Sequence, residues 1–253
     1  MEYAKCGQKL VVYQEIHCHM IFDINMDGRF TRKARYVSGG HTTDPPSSIT
    51  YYRVVSRDSI IIAFTLASLN GVYIRAADIG NAYLNAKCQE KIWTDAGTEF
   101  GSEKDKFVLV LRALYGLKSS GAAWRQILNQ TLIDLGYVSS KADTDVWIKT
   151  EKKPDGAEYI AYVLVYVDEV LHLHHNPDTF MDHLAEVYRL KDGSVGEPKR
   201  YLGANIEKVQ LDYGSVSWPI TSREYVTNSI HNLENTLTHD DAQLLNIFGK
   251  KAG

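Results

Sequence analysis

Apolar and polar positions alternate with two different periods along this chain, and the changes of period mark out its elements. Residues 9 to 24 read as extended and β-rich, up to the turn signal Asn25-Met26-Asp27-Gly28, with Thr31 to Val37 as the returning strand. Gly39 to Ser48 is a loop. Helical spacing follows from about Ser56 to Asn70, with apolar Ile60, Ala63, Phe64 and Ala67, a Ser56 or Asp58 cap and Gly71 as stop. Val72 to Asp78 alternates as a strand, with Val72, Ile74, Ala76 and Asp78 on one face. A second helix is predicted from Ser119 or Ser120 to Leu135, ended by Gly136, with Trp124, Ile127, Leu128, Thr131 and Leu135 on one side. The turn Lys152-Lys153-Pro154-Asp155-Gly156 leads into two apolar runs, Ile160–Val165 and Val170–Leu173, which read as a hairpin. A helix near Asp178, a loop at Lys191–Ser194, a strand near Tyr201 to Val209 and a helix from about Ser222 complete the order. Strands and helices do not alternate as in a doubly wound sheet, so the fold class is α+β.

Composition narrows the class. At 253 residues, 44% hydrophobic and 23% charged, the chain suits a soluble globular protein of one large domain or two small subdomains. No apolar run approaches the roughly 18 residues that span a bilayer, so no membrane partner is expected. Met1-Glu2-Tyr3-Ala4-Lys5 lacks the layout of a secretory signal. Cys6, Cys18 and Cys88 are odd in number and without metal-like spacing, which fits a reducing, intracellular setting. A net charge of −3 gives no global support for nucleic-acid binding. Locally the balance reverses: residues 29 to 57 hold Arg29, Arg32, Lys33, Arg35, Arg53 and Arg57 against Asp44 alone, a net +5. Such a segment is either a solvated face or one wall of a polyphosphate site.

The chemistry concentrates in Tyr166-Val167-Asp168-Glu169, two adjacent acids at the bend of an apolar hairpin. Acids in such surroundings are costly to desolvate unless something binds them, and hard oxygen ligands suit Mg²⁺; a solvated hairpin tip is the plainer alternative. Asp78 ends an apolar strand just before a short helical segment, which it could simply cap. If that strand pairs beside the hairpin, Asp78, Asp168 and Glu169 converge at one sheet edge. Carboxylates that close need cations between them, and two ions about 3.5–4 Å apart would align a hydroxyl and a phosphoryl group for in-line displacement. His172, His174 and His175 suggest zinc only weakly, for want of a further ligand at suitable spacing, and read instead as an edge strand running out to solvent. Trp124, Ile127 and Leu128 read as core.

Taken together, Asp78-Ile-Gly-Asn-Ala-Tyr83-Leu-Asn, Arg112-Ala-Leu-Tyr-Gly-Leu-Lys118 with Ala123-Trp124, Leu135-Gly-Tyr137, Ala142-Asp-Thr-Asp-Val-Trp147 and Tyr166-Val-Asp-Glu169 resemble, in order and approximate spacing, the reverse transcriptases of copia-type LTR retrotransposons. Arg32-Lys33-Ala34-Arg35-Tyr36-Val37 before Gly39-Gly40 resembles the fingers segment of that family, and Tyr201-Leu202-Gly203 its Leu-Gly primer-gripping strand. The resemblance covers residues 13 to 236. It implies a right-hand polymerase fold of fingers, palm and partial thumb, with the metal-binding carboxylates on a palm β-sheet. Residues 1–236 would form the reverse transcriptase domain: about 9–71 fingers-like, 72–209 mainly palm with interleaved fingers, 210–236 the start of a thumb or connection. Residues 237–253 would be a tail.

The implied reaction is RNA-directed DNA synthesis: deoxynucleoside triphosphates are added to a primer 3′-hydroxyl on an RNA or DNA template, with two Mg²⁺ ions, or Mn²⁺. Asp78 and Asp168 would be the core metal ligands, completed by the Ile79 carbonyl, with Glu169 as the third catalytic acid. Tyr83 would block a ribose 2′-hydroxyl or simply pack its helix onto the sheet. Arg32, Lys33 and Arg35 are the candidates for the triphosphate, Gly116 for the floor under template base and nucleotide, and Tyr201, Leu202 and Gly203 for primer contact. The expected partners include other Pol-derived domains, and the expected location is intracellular: the cytoplasm, within element particles, with nuclear access. The family hairpin carries two aspartates, and Glu169 departs from it; a displacement on the order of 1 Å can cost roughly 100-fold in rate. No integrase, protease or ribonuclease H segment is read, and Asp240 to Gly253 does not resemble a completed thumb. An excised domain, a truncated gene or a decaying copy that at most binds nucleic acid is therefore the rival expectation. A nucleotidyl cyclase or other nucleotidyltransferase is a third, against which Leu114-Tyr115-Gly116-Leu117-Lys118 speaks.

Overall fold

The computed structural model describes residues 2–3, 12–25, 31–47, 50–202, 204–214 and 216–236; Met26–Gly28, Gly203 and the tail 237–253 lie outside them. At its centre is an antiparallel sheet of five strands, in the spatial order Tyr73–Asp78, Glu169–His174, Glu158–Tyr166, Val146–Lys152 and Val138–Ser139. The period-two pattern divides its side chains between two cores. Ala161, Val163, Val165 and Val170 face helices α2 (Ser120–Asp134) and α3 (Asp178–Val187), where Trp124, Leu128, Leu132, Phe180, Met181 and Leu184 meet them. Ile74, Leu164, Leu171 and Leu173 face helix α1 (Arg57–Asn70), together with Tyr201, Ile206 and Trp218. Burying each large aliphatic side chain contributes about 1.5–3 kcal/mol, so a sheet covered on both faces is a stiff platform.

The helices begin and end where their sequences dictate. Ser56 caps α1 by accepting the Ser59 N–H at 3.1 Å, and Gly71 stops it in the left-handed region at φ 59°. Gly136, at φ 84°, turns the chain after α2. A fourth helix, α4 (Arg223–Thr236), follows a small sheet of Arg200–Tyr201, Ala204–Ile206 and Ile220–Thr221. Cys18–Asn25 and Thr31–Ser38 form the expected hairpin.

Two expectations change, and one sheet is new. The strand read from Tyr201 to Val209 is instead a tight hairpin, with Tyr201 paired to Ala204; Leu202 turns it at φ 51°, a conformation no leucine advertises. The histidine strand is no edge strand, because Glu169–His174 lies between two neighbours. His172 is buried there, bonded to the Tyr137 hydroxyl at 2.7 Å and close to the Pro177 carbonyl, and burial drives its pKa down to about 3. Finally, the sheet of Glu2–Tyr3, Phe107–Leu109, Ile92–Asp95 and Gln14–Glu15 carried no reading beyond the extended character of residues 9 to 24.

Candidate active site

Sheet register, not proximity in sequence, assembles the acids. Glu169 pairs with Asp78 across adjacent strands, and Tyr166 pairs with Glu169, leaving Val167 and Asp168 as a two-residue turn. Val167 sits at φ 56°, a position that glycine fills in the usual turn of this kind and that strains a β-branched residue. Two bonds from outside hold it: the Trp124 indole donates to the Val167 carbonyl at 2.7 Å, and the Ile79 N–H donates to the Asp168 carbonyl at 2.8 Å. Helix α2 and the Asp78 strand thus fix the direction of Asp168.

Between Asp78 and Asp168 stands an ammonium group. Lys191 Nζ lies 2.5 Å from Asp78 Oδ1, 2.6 Å from Asp78 Oδ2 and 3.3 Å from Asp168 Oδ2. Its backbone is placed by the Lys191 N–H, which donates to the Asp78 carbonyl at 2.8 Å, and by the Leu190–Ile79 bridge. Asp78 Oδ1 is buried and takes no hydrogen bond; its contact is the ion pair. Burial raises the Asp78 pKa, against the pull of Lys191 and with the push of Asp168. Burial alone would lower Lys191, but the two aspartates outweigh it and hold its pKa above the ordinary value. Two carboxylates sharing one cation is the charge pattern that a divalent ion requires, and all their donors are hard oxygens. Among the described residues no cluster of three or more histidine, cysteine or acidic side chains is arranged to hold a metal. Lys191 escaped the sequence reading, since nothing local in Lys191-Asp192-Gly193-Ser194 signals a contact 113 residues away.

Glu169 turns elsewhere. Its carboxylate accepts the Leu202 N–H at 3.5 Å, and burial, with the charges of Asp168 and Asp78, raises its pKa despite that bond. Asp78, Glu169, Arg200 and Tyr201 line one cavity of about 500 Å³. The Tyr201–Leu202 turn is therefore a neighbour of the acids, with Tyr201 buried and Leu202 exposed.

Aromatic and basic residues border the pair on the other side. Tyr83, on the 3₁₀ turn Ala82–Asn85, stacks obliquely on Tyr115 with ring centroids 4.6 Å apart, and its hydroxyl is 3.3 Å from that of Tyr52. Burial raises the pKa of Tyr115, with a further push from the Asp168 charge and opposition from Lys191 and Arg35. Strand alternation places Lys33 and Arg35 on one face of the hairpin and Arg32 on the other. The hairpin ends where two backbones touch: Ser38 N–H donates to the Tyr115 carbonyl at 2.8 Å, and a Cβ on Gly116 would lie 2.0 Å from the Ser38 carbonyl oxygen. Ile79 itself is buried in the core.

Residues 7–242 match the family described as reverse transcriptase (RNA-dependent DNA polymerase). The chain is 30% identical over 204 residues to the Retrovirus-related Pol polyprotein from transposon RE1 of Arabidopsis thaliana, covering 77% of this chain and 13% of that protein. To the corresponding polyprotein from transposon RE2 of the same plant it is 31% identical, over 62% of this chain and 11% of the relative. To the Transposon Ty1-NL2 Gag-Pol polyprotein of Saccharomyces cerevisiae it is 33% identical, over 47% of this chain and 7% of the relative. The chain thus spans 13% or less of the length of these curated relatives. On the match across most of its length, the chain belongs to the reverse transcriptase family, as a reverse transcriptase domain of copia-type Pol polyproteins.

Proposed function

We propose that this chain is the polymerase domain that adds deoxynucleotides to a primer 3′-hydroxyl on an RNA or DNA template, with Asp78 and Asp168 as its metal ligands. The observation that carries the reading is the Asp78–Lys191–Asp168 cluster, two carboxylates aimed at one cation, one at a strand end and the other on a strained, braced turn. On this reading the central sheet is the palm, the Cys18–Ser38 hairpin belongs to the fingers, and α4 opens the thumb or connection. The proposed bounds are those of the sequence reading, about 9–71, 72–209 and 210–236.

Asp78 and Asp168, with the Ile79 carbonyl, would hold Mg²⁺, or Mn²⁺, in the position Lys191 now spans. The bound ions would supply charge stabilisation to the phosphates and an activated 3′-hydroxyl. The chain's own residues do the rest by positioning. Lys33 and Arg35, on the shared face of the hairpin, meet the triphosphate; Arg is the better bidentate partner for phosphate. Tyr83 would exclude a ribose 2′-hydroxyl with its ring, Gly116 would form floor beneath the nascent pair, and the Tyr201–Leu202 turn, with Gly203, would guide the primer end. Lys191, on a flexible stem, would yield its place to a divalent ion held by the two aspartates.

The test is extension of a DNA primer on an RNA template with added Mg²⁺. Asp78→Asn and Asp168→Asn each reduce extension roughly 10³-fold or more, with unchanged circular dichroism. Full activity in either variant refutes the assignment. A second reading draws on the Glu169–Leu202 bond, which leaves the third acid out of the cluster: a chain that binds primer–template without extending it. Salt-sensitive binding with no Mg²⁺-dependent extension would favour it, and activity gained in Glu169→Asp would place the defect at that residue.

A further inference from the structure

Tyr83 occupies a weak element. Its 3₁₀ turn is four residues long, and Asn81, which opens it, is left-handed and offers no side-chain cap. The direction of the ring is set from outside, by the Tyr115 ring on one side and the Tyr52 hydroxyl on another. Tyr52 comes from a stretch without regular structure, tied to the sheet three residues later, where the Val55 N–H donates to the Val165 carbonyl at 3.2 Å. Its own ring lies over Gly121 in the first turn of α2: a Cβ added there would come within 2.1 Å of a Tyr52 ring atom. Gly121 has ordinary helical backbone, so no turn demands a glycine, and glycine in a helix is disfavoured relative to alanine. The space it leaves is filled by Tyr52.

The geometry points to Tyr52 as a specificity-determining residue: seated on Gly121 and bonded to the Tyr83 hydroxyl, it holds the Tyr83 ring against the sugar position and so sets the discrimination between deoxy- and ribonucleotides. This rests on the polymerase reading and on Tyr83 as the sugar-facing residue. Tyr52 acts through Tyr83, so it is a positioning residue; the catalytic carboxylates are untouched by it.

Two substitutions from opposite sides test it. Tyr52→Phe removes only the hydroxyl, and Gly121→Ala leaves every tyrosine intact but displaces the Tyr52 ring. Single-nucleotide extension is measured with dTTP and with UTP opposite the same template base, giving kcat/KM for each. Loss of one hydrogen bond corresponds to roughly a fivefold change. Tyr52→Phe is expected to lower the dTTP-to-UTP ratio by about that factor, and Gly121→Ala to lower it at least as much. Tyr83→Ala sets the upper limit. A merely structural role would depress both nucleotides in parallel and leave the ratio alone; that result, or a wild-type ratio in both variants, overturns the inference while leaving the polymerase standing. Absence of extension by the unmodified chain with either nucleotide overturns the polymerase reading, and this inference falls with it.

Discussion

The central sheet and the Cys18–Ser38 hairpin serve the same candidate site but are built in opposite ways. The three inner strands of the sheet are paired on both sides, and the sheet is covered by helices on both faces and stiff enough to hold Val167 in a strained conformation. Among the described residues the hairpin's ladder consists of its own two strands, and Ile21, Phe22 (77% exposed) and Ile24 are open to solvent. Two isolated strands are marginal by themselves. The hairpin is held to the rest of the protein at its base: Cys18 and Tyr36 pack with Ile92, Val110, Leu114 and Leu117, and Tyr36 meets the Phe100 ring edge-on. Ser38 on Tyr115, the Val37–Tyr115 bridge, the Gly40–Gly116 contact and the Lys118 ammonium on the Thr43 carbonyl at 2.5 Å add polar and backbone ties. On the proposed reading the acids need fixed relative positions, since a metal tolerates little error in its ligands, and the basic residues need reach, since a triphosphate would have to enter and its product leave. Rigidity and exposure are divided accordingly.

Gly116→Ala should break the comparison most strongly. The new methyl would meet the Ser38 carbonyl oxygen at 2.0 Å, at a residue with φ 96°. The hairpin should come away from its base, raising the KM for nucleotide at least about tenfold, while the sheet unfolds at its usual denaturant concentration. Limited proteolysis would show early cleavage between residues 18 and 38. If the sheet melts with the hairpin, the two regions are one cooperative unit and the contrast fails.

Arg125→Met strikes the other region. Arg125 and Asp145 form a two-point ion pair at 2.9 and 3.2 Å, with the Asp145 side chain only 2% exposed. Leaving that charge alone should cost about 3–5 kcal/mol of stability in urea unfolding, and adding Asp145→Asn should recover part of it. A loss under 1 kcal/mol would show that water reaches Asp145.

The smallest effect is graded by pH. His172 titrates near 3 in the folded chain and near 6.5 when unfolded, so both forms are neutral above pH 6.5 and stability is full there. As pH falls from 6.5 towards 3 the unfolded chain takes up a proton that the folded chain refuses. Stability then declines by at most about 1.4 kcal/mol per pH unit from this residue. Comparing urea midpoints at pH 7 and pH 5 for the wild type and His172→Gln isolates that contribution; equal slopes would deny it.

Much of this arrangement is legible in the residues, for reasons that also explain what is not. Alternation from Val72 to Asp78 and along the two runs around Asp168 gave the strands, and their pairing brings Asp78 opposite Glu169. Ser56 and Gly71 mark a helix by chemistry within a few residues. Lys191, Tyr52 and Tyr115 reach the site across the fold, and no local periodicity encodes such contacts. Leu202 misled because a leucine at positive φ gives no turn signal. His172 misled because strand order decides what is buried, and order is a property of the whole sheet.

The central claim is that the rigid edge carrying Asp78 and Asp168 is a divalent-cation site. Titration of Mn²⁺ into the chain with a deoxynucleoside triphosphate present, followed by electron paramagnetic resonance, tests it without requiring turnover. The account predicts binding by the unmodified chain that weakens at least about tenfold in both Asp78→Asn and Asp168→Asn. Equal affinity in all three proteins would contradict it, and would leave the cluster as a plain ion pair with Lys191.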